Sequence, residues 1–283
     1  MADPLQNGLY VAATPIGNLG DASTRLIETL RNVDKIYCED TRHTGKLCQS
    51  FGIKTPRVPY HDHNAESVRP KILAELESGM ALALVSDAGT PLISDPGYKL
   101  IDQAREQKLP VFAVPGPCAA IAALSVAGLP TDRFFFAGFP PAKKKARTEF
   151  LTELAVIPSS VIFYETPSRL SESLASMLEA FGDRDAAVIR ELTKIHEDVK
   201  RATLSDLVTT FADASPKGEI VVIVGPPSKN APNIDSEEVT EFLQKAILTM
   251  SVKEAASEAQ AAFGIPRKAA YSRALELKTT PRK

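Results

Sequence analysis

Val85-Ser86-Asp87-Ala88-Gly89-Thr90-Pro91-Leu92-Ile93-Ser94-Asp95-Pro96-Gly97 is the stretch on which the fold turns. It follows Ala81-Leu82-Ala83-Leu84, an apolar run that predicts a buried strand. A helical pattern begins just beyond it, near Tyr98. Between strand and helix the chain places two Gly, two Pro and two Asp. Gly admits a ligand close to the backbone, and Pro stiffens the turn. In open parallel sheets, ligands bind beyond the carboxyl ends of the strands. A loop of this composition, at this place, is expected to bind something.

Working outward, short apolar runs alternate with helical patterns. Strands are predicted at 8–13, 35–38, 81–85 and 111–114, with an extended segment at 57–60. Helices are predicted at 22–30, 41–51, 65–77 and 97–106. This alternation predicts a mostly parallel sheet with helices on its faces. Residues 116–128 are apolar and Ala-rich and read as a buried helix. A second α/β unit starts at Arg133. Phe134-Phe135-Phe136 opens a strand that Pro140-Pro141 closes, and strands at 160–164, 186–190 and 219–224 follow. Helices at 168–181 and 204–211 lie between them, and mixed strand directions are expected. Residues 226–235 have the composition of a linker. From 236 to 283 the pattern is helical. Phe263-Gly264-Ile265 interrupts it, and Pro266 falls in the first turn of the last helix, as in a helix-turn-helix. The expected domains are 1–116, 117–226 and 236–283.

The composition sets limits on function. The 283 residues are 44% hydrophobic and 24% charged, with a net charge of −2, which excludes a polybasic protein but not a local basic patch. No apolar run reaches membrane-span length, and the start lacks a signal-peptide pattern. Cys38, Cys48 and Cys118 have no metal-like spacing, so a reduced, cytoplasmic protein without a metal is expected. His61-Asp62-His63 lacks a third nearby ligand and reads as a polar turn.

Four loops follow predicted strands: Thr14 to Asp21, Cys38 to Lys46, the opening stretch, and Pro115 to Ala120. In a parallel sheet they emerge on one side and line one cleft. Gly17 and Gly20 are a fragment of a dinucleotide fingerprint, and Gly45-Lys46 lacks the rest of a phosphate loop, so neither a nicotinamide nor a nucleoside triphosphate is supported. The second loop reads two ways. It is a solvated helix start with Asp40 as N-cap, or a mouth for a charged substrate, with Arg42 and Lys46 one turn apart facing one phosphate. Lys143-Lys144-Lys145-Ala146-Arg147 is a solvated face or a phosphate clamp. The tail carries Arg267, Lys268, Arg273, Lys278, Arg282 and Lys283 against Glu276, which points to nucleic acid or to a packing module.

These motifs carry a resemblance. Leu9 to Asp21, Cys38 to Gly45, Val85 to Gly97, Val114 to Ala120, Phe163-Tyr164-Glu165-Thr166-Pro167-Ser168-Arg169 and Lys217-Gly218-Glu219 resemble the ribosomal RNA small subunit methyltransferase I family, of the tetrapyrrole methylase superfamily, over nearly the whole chain. The resemblance implies two α/β domains with S-adenosylmethionine bound between them, plus a small helical module. It implies a homodimer without metal that methylates the ribose 2′-oxygen of cytidine 1402 in the decoding centre of 16S ribosomal RNA, within the 30S subunit. By superfamily positions, Pro15 lies beside the cofactor, and Gly89, Thr90, Ile93 and Ser94 cradle its methionine part. Cys118 and Ala119 touch it, Leu192 packs near the adenine, and Gly218 lies nearby. Superfamily members commonly carry Gly-Asp-Pro where this chain has Gly89-Thr90-Pro91, so the backbone of Thr90 is expected to serve. Removing a ribose hydroxyl proton calls for a base. The candidates are Asp40 and Glu39 first, then His43 and Asp87, with Arg42, Lys46, Lys143, Lys144, Lys145, Arg267 and Lys268 holding RNA. The alternatives are methylation of a small tetrapyrrole, or a non-catalytic RNA-binding protein.

Overall fold

The computed structural model describes residues 5–212, 216–227, 234 and 236–279. The chain divides into two compact units. One runs to Ala122 and takes in Leu192–Glu197; the other comprises Ala123–Glu191 and the chain from Asp198 onward.

In the first unit, β1 (Gly8–Ala12), β2 (Lys35–Cys38), β3 (Arg57–Pro59), β4 (Ala81–Val85) and β5 (Val111–Val114) form one sheet in the order β3-β2-β4-β1-β5. Every pairing in it is parallel. Alternate residues feed opposite faces, as the period of two demands. Tyr10 and Ala83 join Leu26 and Leu30 of α1 (Thr24–Asn32) and Leu47 of α2 (Thr41–Ser50). Their neighbours Leu9 and Leu82 join Ile72 and Leu76 of α3 (Ala65–Glu77) and Leu100 of α4 (Tyr98–Glu106) on the other side. α1 and α2 start where side chains satisfy free backbone N–H groups: Ser23 accepts from the Leu26 amide, and Asp40 from the Arg42 amide. Because every strand runs parallel, α1, α2, α3, α4 and the helix after β5 each follow a loop at the same edge of the sheet.

The second unit has β6 (Phe134–Gly138), β7 (Ser160–Glu165), β8 (Asp185–Arg190), β9 (Asp198–Thr203) and β10 (Ile220–Val224), ordered β6-β7-β10-β8-β9. β6 and β7 run parallel and the remaining pairs antiparallel, so the expected mixture of directions is borne out. α6 (Lys144–Leu154), α7 (Leu170–Phe181) and α8 (Leu204–Thr210) cover one face through Leu151, Leu174, Met177 and Leu204, packed on Phe163, Val188 and Val222. β9 was not foreseen. It is a polar edge strand, Asp-Val-Lys-Arg-Ala-Thr, with no apolar run to announce it.

α5 (Ala119–Val126) carries the boundary between the units. It is not the buried helix that its composition suggested. Ala120, Ala123 and Leu124 are buried, but Ile121 is 49% exposed and Val126 46%. α9 (Glu237–Thr249), α10 (Val252–Phe263) and α11 (Arg267–Thr279) build a small core from Val239, Leu243, Ala256, Ala259, Ile265, Ala270 and Ala274. A Ser251–Glu254 capping box opens α10, and Gly264 closes it in the left-handed region, at φ 64°. Most of the expected linker lies outside the described residues, as do Arg282 and Lys283. No helix among the described residues is long and apolar enough to cross a membrane.

Candidate functional site

The four loops singled out in the sequence leave the carboxyl edge of the first sheet, and hydrogen bonds to the loop after β4 tie all four together. Thr14 and Gly89 exchange backbone hydrogen bonds of 2.9 and 3.1 Å, which joins the loops after β1 and β4. The Thr90 hydroxyl donates to the Pro117 carbonyl at 3.0 Å, joining the loops after β4 and β5. This spends the Thr90 side chain on structure. Gly89 has φ 81°, and a Cβ on it would lie 3.2 Å from Ile16 Cγ2, so a side chain here would be both strained and crowded. Leu92 (φ 74°) and Ser94 (φ 67°) also hold left-handed conformations. Each costs on the order of 1 kcal/mol, which the surrounding ties must offset. Pro15, Gly89, Thr90, Ile93, Ser94, Cys118 and Ala119 are thus carried by loops of one sheet edge.

Segment Leu192–Glu197 belongs to this unit as well. Leu192 sits between two left-handed residues, Glu191 (φ 51°) and Thr193 (φ 67°). A Cβ on Gly17 would fall 2.7 Å from Lys194 Cγ and 3.1 Å from Thr193 Oγ1, so this turn packs directly against the loop after β1. Thr193 Oγ1 is buried with no hydrogen-bond partner among the described residues. A buried unsatisfied hydroxyl is costly, and a polar ligand would relieve it. Gly218 is part of the other unit, where it packs on the Glu191 side chain.

The loop after β2 brings the acids together. The Asp40 amide donates to Asp87 Oδ1 at 3.1 Å, which fixes the β2 loop against the β4 loop. Glu39 is half-buried, and burial followed by the charges of Asp87, Asp95 and Asp62 raises its pKa. Asp95 is likewise raised, by burial first, with Asp87 and Asp62 adding to it against a Ser86 hydrogen bond. Asp95 was missed as a candidate, because the loop's sequence does not show that burial, the largest cause of its shift, acts on it. Asp40 behaves in the opposite way. The Arg42 side chain at 2.8 Å, then the Arg42 amide, hold its carboxyl well below the usual range. His43 is exposed on α2.

The cationic candidates are on the surface. Arg42 and Lys46 are exposed on α2, and Lys143, Lys144 and Lys145 are exposed at the start of α6. Arg267 and Lys268 are exposed on the first turn of α11. Arg147 departs from its run. It is 1% exposed, donating to Ser176 Oγ (3.0 Å), the Ala142 carbonyl (3.1 Å) and Glu172 (3.2 Å), because it lies one turn inward on α6. Among the described residues, no three His, Cys, Asp or Glu side chains converge as metal ligands do.

Residues 8–208 match the family model for tetrapyrrole (corrin/porphyrin) methylases, and residues 233–278 match that for the RsmI C-terminal HTH domain. The ribosomal RNA small subunit methyltransferase I of Erythrobacter litoralis (strain HTCC2594) is 52% identical, covering 98% of each chain. That of Mesorhizobium japonicum is 46% identical over 99% of this chain and 95% of its own. The Escherichia coli O157:H7 protein of the same name is 43% identical over 97% of each. Among solved structures, diphthine synthase matches with a TM-score of 0.60 at 17% identity, covering 77% of this chain and 89% of its own. The uroporphyrin-III-C-methyltransferase of Thermus thermophilus matches with a TM-score of 0.54 at 19% identity, covering 78% and 94%. At such identities the structures speak for the fold alone.

Proposed function

This chain belongs to the ribosomal RNA small subunit methyltransferase I family, and from that premise we propose that it methylates the ribose 2′-oxygen of cytidine 1402 in the decoding centre of 16S ribosomal RNA, within the 30S subunit and as a homodimer. The tetrapyrrole methylase type is that of S-adenosylmethionine-dependent enzymes. The tied loops, the Gly89 cradle and the orphaned Thr193 hydroxyl fit such a ligand, which offers polar groups at both ends and little tolerance for crowding. Pro15, Gly89, Thr90, Ile93, Ser94, Cys118, Ala119 and Leu192 would hold it, with Gly218 on the other unit. When bound, it supplies a methyl group already activated by the sulfonium.

The remaining task falls to this chain's residues: orient the ribose and take its proton. The observation that carries the reading is the placement of Glu39: half-buried, in a loop that the Asp40–Asp87 hydrogen bond fixes at the edge of the first sheet, where burial and then Asp87 and Asp95 raise its proton affinity. A weakly acidic hydroxyl is best served by a base held above the carboxylate norm. Glu39 would take the 2′-O–H proton as that oxygen accepts the methyl group, and the carboxylate would end protonated. Asp87 anchors the Glu39–Asp40 backbone through the Asp40 amide. Asp40, tied to Arg42, serves as helix cap rather than base. Arg42, Lys46, Lys143, Lys144, Lys145, Arg267 and Lys268 meet RNA phosphates.

The test is transfer of a labelled methyl group into purified 30S subunits that lack the modification, followed by nuclease digestion. Label in a ribose-methylated cytidine supports the reading. Label in a base, or acceptance of a tetrapyrrole in place of RNA, refutes it.

A further inference from the structure

The loop between β6 and α6 in the second unit carries an aromatic ring outward on an unusually well-fixed backbone. Phe139 follows a register irregularity in β6 and is 51% exposed. Its ring meets Tyr164 edge-on at 5.5 Å, and Tyr164 meets Phe136 in the same way at 4.9 Å. A single exposed Phe is ordinary. What sets this one apart is its support. Pro140 and Pro141 stiffen the chain behind it. The Arg169 guanidinium donates to the Pro140 carbonyl, and Arg147 donates to the Ala142 carbonyl at 3.1 Å. Both arginines are themselves held by acids: Arg169 lies 3.5 Å from the fully buried carboxylate of Glu165, and Arg147 lies 3.2 Å from Glu172. Glu165 also accepts from Ser173 and from the Thr166 amide. The Glu165-Thr166-Pro167-Ser168-Arg169 motif, which the methyl-transfer chemistry leaves unused, is thus the underpinning of this loop.

Three exposed lysines, Lys143, Lys144 and Lys145, come directly after it, and the next acid is Glu149. Lys143 is the N-cap of α6 and makes no side-chain cap, so the helix end adds partial positive charge to that of the lysines. An exposed ring followed within six residues by three exposed lysines matches single-stranded RNA, whose bases stack and whose phosphates seek cations.

We propose that Phe139 is a stacking platform for an unpaired RNA base, with Lys143, Lys144 and Lys145 holding the phosphates that flank it. This deepens the RNA reading above and rests on it. Preformed by two arginine clamps, the platform needs little ordering when RNA arrives.

Binding of a fluorescein-labelled oligocytidylate to the full chain tests it by anisotropy. Phe139→Ala is expected to weaken binding about tenfold, as for loss of one stacked base. Phe139→Tyr stays within about twofold, since its ring still stacks. The slope of log affinity against log salt stays as in wild type for Phe139→Ala, and falls by about 2 when all three lysines become Gln. S-adenosylmethionine binding by calorimetry and sedimentation of each variant are expected to be unchanged. Wild-type affinity in Phe139→Ala overturns the proposal, and so does a shifted monomer–dimer balance, which would mean that a second copy covers the ring. If the wild type binds the oligocytidylate through Phe139 yet transfers no methyl to 30S subunits, the platform stands and the proposed reaction falls. If transfer occurs with an unchanged KM in Phe139→Ala, the platform alone falls.

Discussion

Glu39 and Asp40 are adjacent acids that the fold drives in opposite directions, one by burial beside Asp87 and Asp95, the other by the Arg42 guanidinium. Glu39→Gln should lower kcat by about 100-fold or more while S-adenosylmethionine affinity holds, as expected for loss of a general base. Asp40→Asn should keep most of its activity, because Asn still caps α2. A base acts only when ionised, so kcat should rise with pH through the elevated pKa of Glu39, and this limb should vanish in Glu39→Gln. Stability runs the other way. A carboxyl with a raised folded-state pKa favours the fold while protonated, and this contribution is lost as pH rises through that pKa. Glu39→Gln should therefore melt higher than wild type near neutrality, with the gain disappearing below the unfolded-state pKa. A variant that melts lower across that range would refute this account of Glu39.

The strand-end loops are where single hydrogen bonds have leverage. Thr90→Val removes the tie between the loops after β4 and β5. One net hydrogen bond is worth ~1 kcal/mol, so S-adenosylmethionine should bind about fivefold more weakly, as read by calorimetry. Arg147→Met removes three hydrogen bonds and should lower unfolding free energy by about 2–3 kcal/mol in denaturant titration. Elements with a clear period were legible in the sequence. β4 spans the apolar run predicted for it, since a central parallel strand is buried on both faces. β9 was not legible, because an edge strand exposed to water has no such run. The exposure of Ile121 and Val126 on α5 was also hidden, as composition cannot say which side of an apolar helix is covered. The candidate acids could be named from their clustering, with Asp40 and Glu39 placed first, but these two could not be told apart. Ranking needed the fold, which sets Asp95 against Glu39 and commits Arg42 to Asp40.

At the scale of the whole chain, the C-terminal helices have their own core, and no residue of α9, α10 or α11 enters the main core of the second sheet. A chain ending at residue 235 should therefore keep its S-adenosylmethionine affinity and lose affinity for 30S subunits, and the two titrations read this directly. Loss of both would mean that the module supports the α/β part. The resemblance in the sequence reached the family and the fold, but it did not show that Leu192–Glu197 joins the N-terminal unit after an excursion of about seventy residues. Because of that return, the units are stitched by three passages of the polypeptide rather than one. No single scission yields two intact halves: a fragment stopping at Ala122 forfeits Leu192, Thr193 and Lys194, and its complement keeps a turn that has lost its bed. Evolution, like the protein engineer, cannot shuffle this unit as a cassette.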